Sequence, residues 1–127
     1  MEALIYLDTH VVAWLYAGQA ELLSPKAAKL VEAEALRISP MVILELEYLR
    51  EIGRLTVGGN TVVQSLSAQL GLEVCDLSFP AVIESALDQR WTRDPFDRVI
   101  VGHAALAASP LLSKDRGVRR HYRLARW

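Results

Sequence analysis

Leu4-Ile5-Tyr6-Leu7-Asp8-Thr9-His10 is the stretch from which the fold is read. Four apolar residues make a run of strand length, and the acidic and hydroxyl residues behind it are of the kind that start helices. With Thr9 as the cap, residues 10–17 are expected to be helical and Gly18 to end the helix. A strand handing straight over to a helix is the opening unit of an α/β chain, and the unit recurs. Leu36-Arg37-Ile38 reads as a second strand before the helix start Ser39-Pro40, with Gly53 as its stop. Ser24-Pro25 opens an earlier helix striped by Ala27, Ala28, Leu30 and Val31, by the rule that proline follows the cap. Beyond the Gly58-Gly59 break the pattern predicts a helix over 61–70, a strand over 72–75 and a helix over 80–89. Asp94-Pro95 then starts a helix to about residue 108, followed by a strand over 111–113 and a short last strand within 122–127. Strands alternating with helices imply an α/β sandwich on a mainly parallel sheet.

The chain has 127 residues, 52% of them hydrophobic, which suits one domain over 1–127 with a core of its own. A single cysteine, Cys75, excludes an internal disulfide and offers no pair for a structural zinc site. The first residues lack a basic segment ahead of a long apolar stretch, and no apolar run reaches the roughly 18 residues of a membrane span. The expectation is a cytoplasmic protein with no membrane association.

The net charge of −1 hides an asymmetry. Residues 1–89 hold 5 Lys/Arg against 12 Asp/Glu, whereas residues 90–127 hold 9 against 3. Six basic residues between Lys114 and Arg126 form a block that is either a solvated face or an attractor for a polyanion.

Acids fall where such a sheet builds sites, at the carboxyl ends of its strands. Asp8 follows the first strand and Asp115 the fourth, and either also suits a turn or cap. On the helix from Pro40, Met41, Leu44, Tyr48, Leu49 and Ile52 make an apolar stripe at helical spacing, and Glu45 falls inside it. A carboxylate facing a core is costly unless a cation or donors satisfy it, or unless it bends out to water at the rim. Glu47, Arg50, Glu51 and Arg54 fall on the polar side. In Arg93-Asp94-Pro95-Phe96-Asp97-Arg98, Asp94 is a good N-cap, while Asp97 shares a face with Val101 and Ala104 and comes near the sheet end of Asp8. Converging carboxylates cannot all ionise uncompensated, and hard oxygen ligands suit Mg²⁺ or Mn²⁺. Metal-activated water attacking a phosphodiester is the reaction such a site performs best.

Leu7-Asp8-Thr9-His10, Ser39 through Glu45 to Gly53-Arg54-Leu55, Asp94-Pro95-Phe96-Asp97-Arg98 and Leu112-Ser113-Lys114-Asp115 resemble, in order and spacing, the PIN-domain ribonucleases. They are most similar to the VapC toxins of toxin–antitoxin pairs, over essentially the whole chain. The resemblance implies a three-layer α/β sandwich with a mainly parallel central sheet and an Mg²⁺- or Mn²⁺-dependent endoribonuclease. Its catalytic and metal-binding acids would be Asp8, Glu45, Asp97 and Asp115, with Thr9 and Ser113 as polar supports. Leu44 stands where family members often carry a tryptophan, and Glu47 competes with Glu45 for the helical acid. RNA phosphates would meet Arg98, Lys114, Arg116, Arg119 and Arg120. Family resemblance further implies a cognate VapB-like antitoxin and a homodimer, with Val11, Val12, Trp14 and Leu15 lining a groove for an antitoxin helix.

Other chemistry finds less support. His10, His103 and His121 lack metal-ligand spacing, Cys75 has no histidine near it in sequence, and there is no phosphate-binding glycine loop. Trp14, Trp91 and Trp127 read as packing or interface residues rather than base-stacking platforms. A receiver-type phosphoacceptor would use Asp8, Asp76 and Lys114 but leaves Glu45 and Asp97 without a role. A PIN-like binding module without activity would not need four acids.

Overall fold

A computed structural model describes residues 3–127. Its elements in chain order are β1 (Leu4–Leu7), α1 (Thr9–Tyr16), α2 (Pro25–Ala33), β2 (Ala35–Ile38), α3 (Pro40–Glu51), α4 (Gly59–Leu70), β3 (Glu73–Val74), α5 (Phe79–Leu87), α6 (Pro95–Leu106), β4 (Leu111–Leu112), α7 (Arg116–His121) and β5 (Ala125–Arg126). The strands form one sheet in the order β3-β2-β1-β4-β5, and all four pairings are parallel. Seven helices flank it, so the fold is the expected α/β sandwich with a wholly parallel sheet.

β1 is central because Ile5, Tyr6 and Leu7 are all buried, as a strand covered on both faces requires. The chain winds outward from β1 through β2 to β3, then returns to the other side of β1 with β4 and β5. That reversal opens a crevice at the carboxyl ends of β1 and β4, the place where doubly wound sheets build their sites. Ile38, Val42, Leu46, Val62, Leu66, Ile100, Val101 and Leu112 close the core around the sheet.

Several local expectations change. Asp8, not Thr9, caps α1: its carboxylate accepts from Thr9 N at 2.8 Å and its backbone is extended. The Gly58-Gly59 pair is the start of α4 rather than a break before it, with Gly58 as the cap and Gly59 the first helical residue. A Cβ on Gly59 would come within 2.3 Å of the Ile43 carbonyl oxygen, so the α3–α4 approach requires glycine there. α7 has no counterpart in the sequence pattern, because its six residues bury only Val118. The last strand is two residues long, Ala125–Arg126.

The stripe on α3 is also corrected. Leu44, Tyr48 and Ile52 are 56%, 45% and 48% exposed, while Val42 and Leu46 make the core face. The apolar periodicity of α3 serves two faces, and the longer of them is bare. Val11 and Val12 are wholly buried and belong to the core, while Trp14 and Leu15 of the same helix are half-buried. Among the described residues no helix is long and apolar enough to cross a membrane.

Candidate active site

Three helix starts meet at the crevice, and each begins on an aspartate. Asp8 caps α1, Asp94 caps α6 through Phe96 N at 2.8 Å, and Asp115 caps α7 through Val118 N at 2.9 Å. Exposed N–H groups and the positive helix ends favour carboxylates there, so part of the mutual repulsion is offset by the backbone. Glu45 and Asp97 have no such cap role. They come instead from inside α3 and from the first turn of α6.

Hydroxyl groups orient two of the acids. Ser113 Oγ donates to Asp8 Oδ2 at 2.7 Å, while Asp115 N donates to the same hydroxyl at 3.1 Å, tying the ends of β1 and β4 together. Thr9 Oγ1 donates to Glu45 Oε1 and so joins α1 to α3. The supports expected from the resemblance, Thr9 and Ser113, both touch site acids. Asp8 is 4% exposed.

Burial raises the Asp97 carboxyl to about 7, and Asp8, Asp94, Asp115 and Glu45 add to the rise in that order. Glu45 is also raised, first by burial and then by Asp8 and Asp94, with the Thr9 hydrogen bond working against them. The four expected acids therefore share one electrostatic neighbourhood, together with Asp94, whose sequence context pointed to capping alone. Among the described residues no three His, Cys, Asp or Glu side chains are gathered closely enough to hold one ion between them. The donor chemistry still fits a hard divalent cation: all donors are carboxylate oxygens, and the charge at Asp97 lacks compensation.

His10, expected on a helix face near the site, is a direct neighbour of Asp8. Lys114 N donates to its Nε2 at 2.9 Å, which places the proton on Nδ1, 3.9 Å from Asp8 Oδ2. Burial lowers its pKa, ahead of the raising effect of Asp8 and Asp115, so the ring is neutral at pH 7. Its signal was the position two residues after Asp8.

Glu47 is not a free surface charge. Its carboxylate accepts from Gly59 N at 3.1 Å and pairs with Arg50 at 3.4 Å, which serves the start of α4, while Glu45 is the α3 acid bonded to Thr9 beside Asp8. Arg98 turns away from the crevice and donates to the carbonyls of Ala86 and Leu87 at the end of α5. Lys114, Arg116, Arg119 and Arg120 lie beside Asp115, and among the described residues none of them makes an ion pair. Asp76 follows β3, two strands from Asp8, so the receiver-type pair is not assembled.

No curated protein sequence matches the chain. Among solved structures it is similar to VapBC2 from Rickettsia felis, bound there to a DNA fragment from its promoter. The TM-score is 0.65 at 17% identity, over 96% of both chains. It is also similar to a toxin–antitoxin complex from Klebsiella pneumoniae, with a TM-score of 0.57 at 18% identity, over 98% of this chain and 96% of the other. The PIN domain family model matches residues 5–124, and the chain belongs to the PIN domain family.

Proposed function

We propose that this protein is a VapC-like toxin: a metal-dependent endoribonuclease, held in check by a cognate antitoxin. The observation that carries the reading is Asp97, whose carboxyl is raised to about 7 by burial and by four neighbouring carboxylates. A cluster that costs the metal-free protein this much has a use when a divalent cation neutralises it. Asp8, Glu45 and Asp97, with Asp115 contributing, would hold Mg²⁺ or Mn²⁺. The bound metal would supply a water of lowered pKa and a Lewis acid for the scissile phosphate.

The chain's own residues do the rest. Ser113 and Thr9 hold the carboxylates of Asp8 and Glu45 in place through their hydroxyl groups. Asp115 is held at the start of α7 by Val118 N, so the acid and the arginines of that helix move as one unit. Arg116, Arg119 and Arg120 would attract RNA phosphates toward the acids. The antitoxin and a second copy of the toxin would use apolar surface, and the bare stripe Leu44, Tyr48 and Ile52 with Leu77 and Phe79 provides it.

The test is cleavage of a total-RNA pool by the purified protein with Mn²⁺ and with EDTA, sequencing the new ends. Cuts with Mn²⁺ that vanish with EDTA and with Asp97→Asn are expected. Undiminished cutting by Asp97→Asn at saturating metal overturns the site, and no cutting by the wild type overturns the activity. Co-expression with the adjacent small open reading frame checks the partner, through co-purification and relief of growth arrest.

A further inference from the structure

Beside the acids, on the side away from α3, lies an open cleft of about 300 Å³ lined by His10, Trp14, Lys114 and Asp115. Its wall is aromatic. The rings of His10 and Trp14 meet edge to face at 5.0 Å, and Trp127 backs both, 6.1 Å from Trp14 and 6.4 Å from His10. These three rings come from α1 and from the residue after β5, so only the β1–β4–β5 pairing brings them together. The Lys114 ammonium lies 5.9 Å from the centre of the Trp14 ring, on a side chain that is otherwise exposed. Trp14 is half-buried, packed against the core on one side and open to the cleft on the other.

The geometry points to a nucleobase subsite: one unpaired base of single-stranded RNA stacks against Trp14 in this cleft, with Lys114 on the adjoining phosphate. The assignment rests on the ribonuclease reading and adds to it where the base next to the cut is held. The occupant follows from the cleft's chemistry. An aromatic wall takes a flat π-face, and a lysine that already covers such a face gives way to a base and meets its phosphate. A base inside a duplex cannot present that face, so the strand must be single at this point. The cleft shares Asp115 with the acid cluster, so a base seated there sets its own phosphate beside the acids. Recognition through the face tolerates every base and favours purines by their larger stacking area.

Binding is measured without cleavage, in EDTA, with fluorescently labelled eight-nucleotide oligoadenylate and an abasic oligomer of equal length and charge. The wild type is expected to bind the oligoadenylate on the order of 5- to 100-fold more tightly than the abasic strand. Trp14→Leu is expected to remove most of that difference while leaving the salt dependence of binding as it was, because every phosphate keeps its partner. Trp14→Phe keeps a ring in the wall and is expected to restore most of the preference, which a merely structural role for Trp14 does not require. If the wild type binds both oligomers equally, or Trp14→Leu prefers oligoadenylate as strongly as the wild type, the subsite is wrong and the ribonuclease reading stands. If the wild type binds neither oligomer and cuts no RNA with Mn²⁺, both fall. The comparison of the two oligomers on the wild type decides the matter even where Trp14→Leu does not fold.

Discussion

Asp97 gives up its proton near 3.8 as an unperturbed side chain and near 7 in the folded protein, because burial and four carboxylates oppose its charge. A folded-state value above the unfolded one means that the protein holds a proton the unfolded chain has lost. The contribution is fully present below about pH 4 and is lost as pH rises to about 7. Metal-free protein should therefore melt at falling temperature across that window, and Asp97→Asn should flatten the fall. At pH 8 the variant should be more stable by about 1 kcal/mol, roughly 3–6 °C, a modest figure because Asp97 is only half-buried. Thermal melts from pH 4 to 8 check this, and an unchanged pH profile removes Asp97 from the cluster. Metal binding works the other way: it needs the carboxylate, so Mn²⁺ affinity should rise with pH through about 7 with release of a proton. Glu45 and Glu47 separate at the same scale. Glu45→Gln should weaken Mn²⁺ binding with the fold intact. Glu47→Ala should leave metal binding alone and cost about 1 kcal/mol, because Gly59 N is left without its acceptor. Calorimetric titration beside a melt of each variant decides between them.

Among the elements, α4 gives the sharpest test of packing against propensity. Alanine in place of a helical glycine normally stabilises by roughly 0.5–1 kcal/mol. At Gly59 the new Cβ would lie 2.3 Å from the Ile43 carbonyl oxygen, so Gly59→Ala should instead destabilise by about 1–3 kcal/mol. Urea unfolding gives the sign directly. Gly102 meets the same constraint where α6 crosses α5, with Ala86 backbone atoms 2.9 Å from the position of a Cβ. α7 shows why a short element escapes pattern reading. One buried valine sets no periodicity, and its stability comes from the Asp115 cap and from Trp91, whose ring lies over Gly117 and stacks on His121 at 5.0 Å.

For the whole molecule the charge asymmetry becomes a spatial one. The acids of the crevice sit beside α7, whose arginines at 116, 119 and 120 point no charge at any carboxylate within the described chain. If they hold RNA, the triple alanine variant should bind a single strand more weakly and with a salt slope shallower by about 0.7 for each phosphate no longer neutralised. An unchanged slope returns α7 to a solvated face. On another side, Leu44, Tyr48, Ile52, Leu77 and Phe79 stay exposed, Phe79 by 69%. Leu44→Glu with Phe79→Glu should halve the mass seen by light scattering if this face joins two copies, and leave the melting temperature of the single chain nearly unchanged.

Local chemistry in the chain was enough to place the strands in order, every helix but α7, and the caps Ser24, Ser39 and Asp94. Apolar run length, proline after a cap and an acid behind a strand are signals carried within a few residues. The stripe that singles out Glu45 in the sequence is largely bare in the fold, since periodicity marks an apolar face without saying whether the core or another molecule covers it. Only the tertiary structure decided that Val11 and Val12 are core, that Glu47 serves α4, that Arg98 ends α5, and that His10, Trp14 and Trp127 share one wall. Each depends on which segments the sheet order brings side by side. That order is set by long-range packing on β1, which leaves no mark at the residues it brings together.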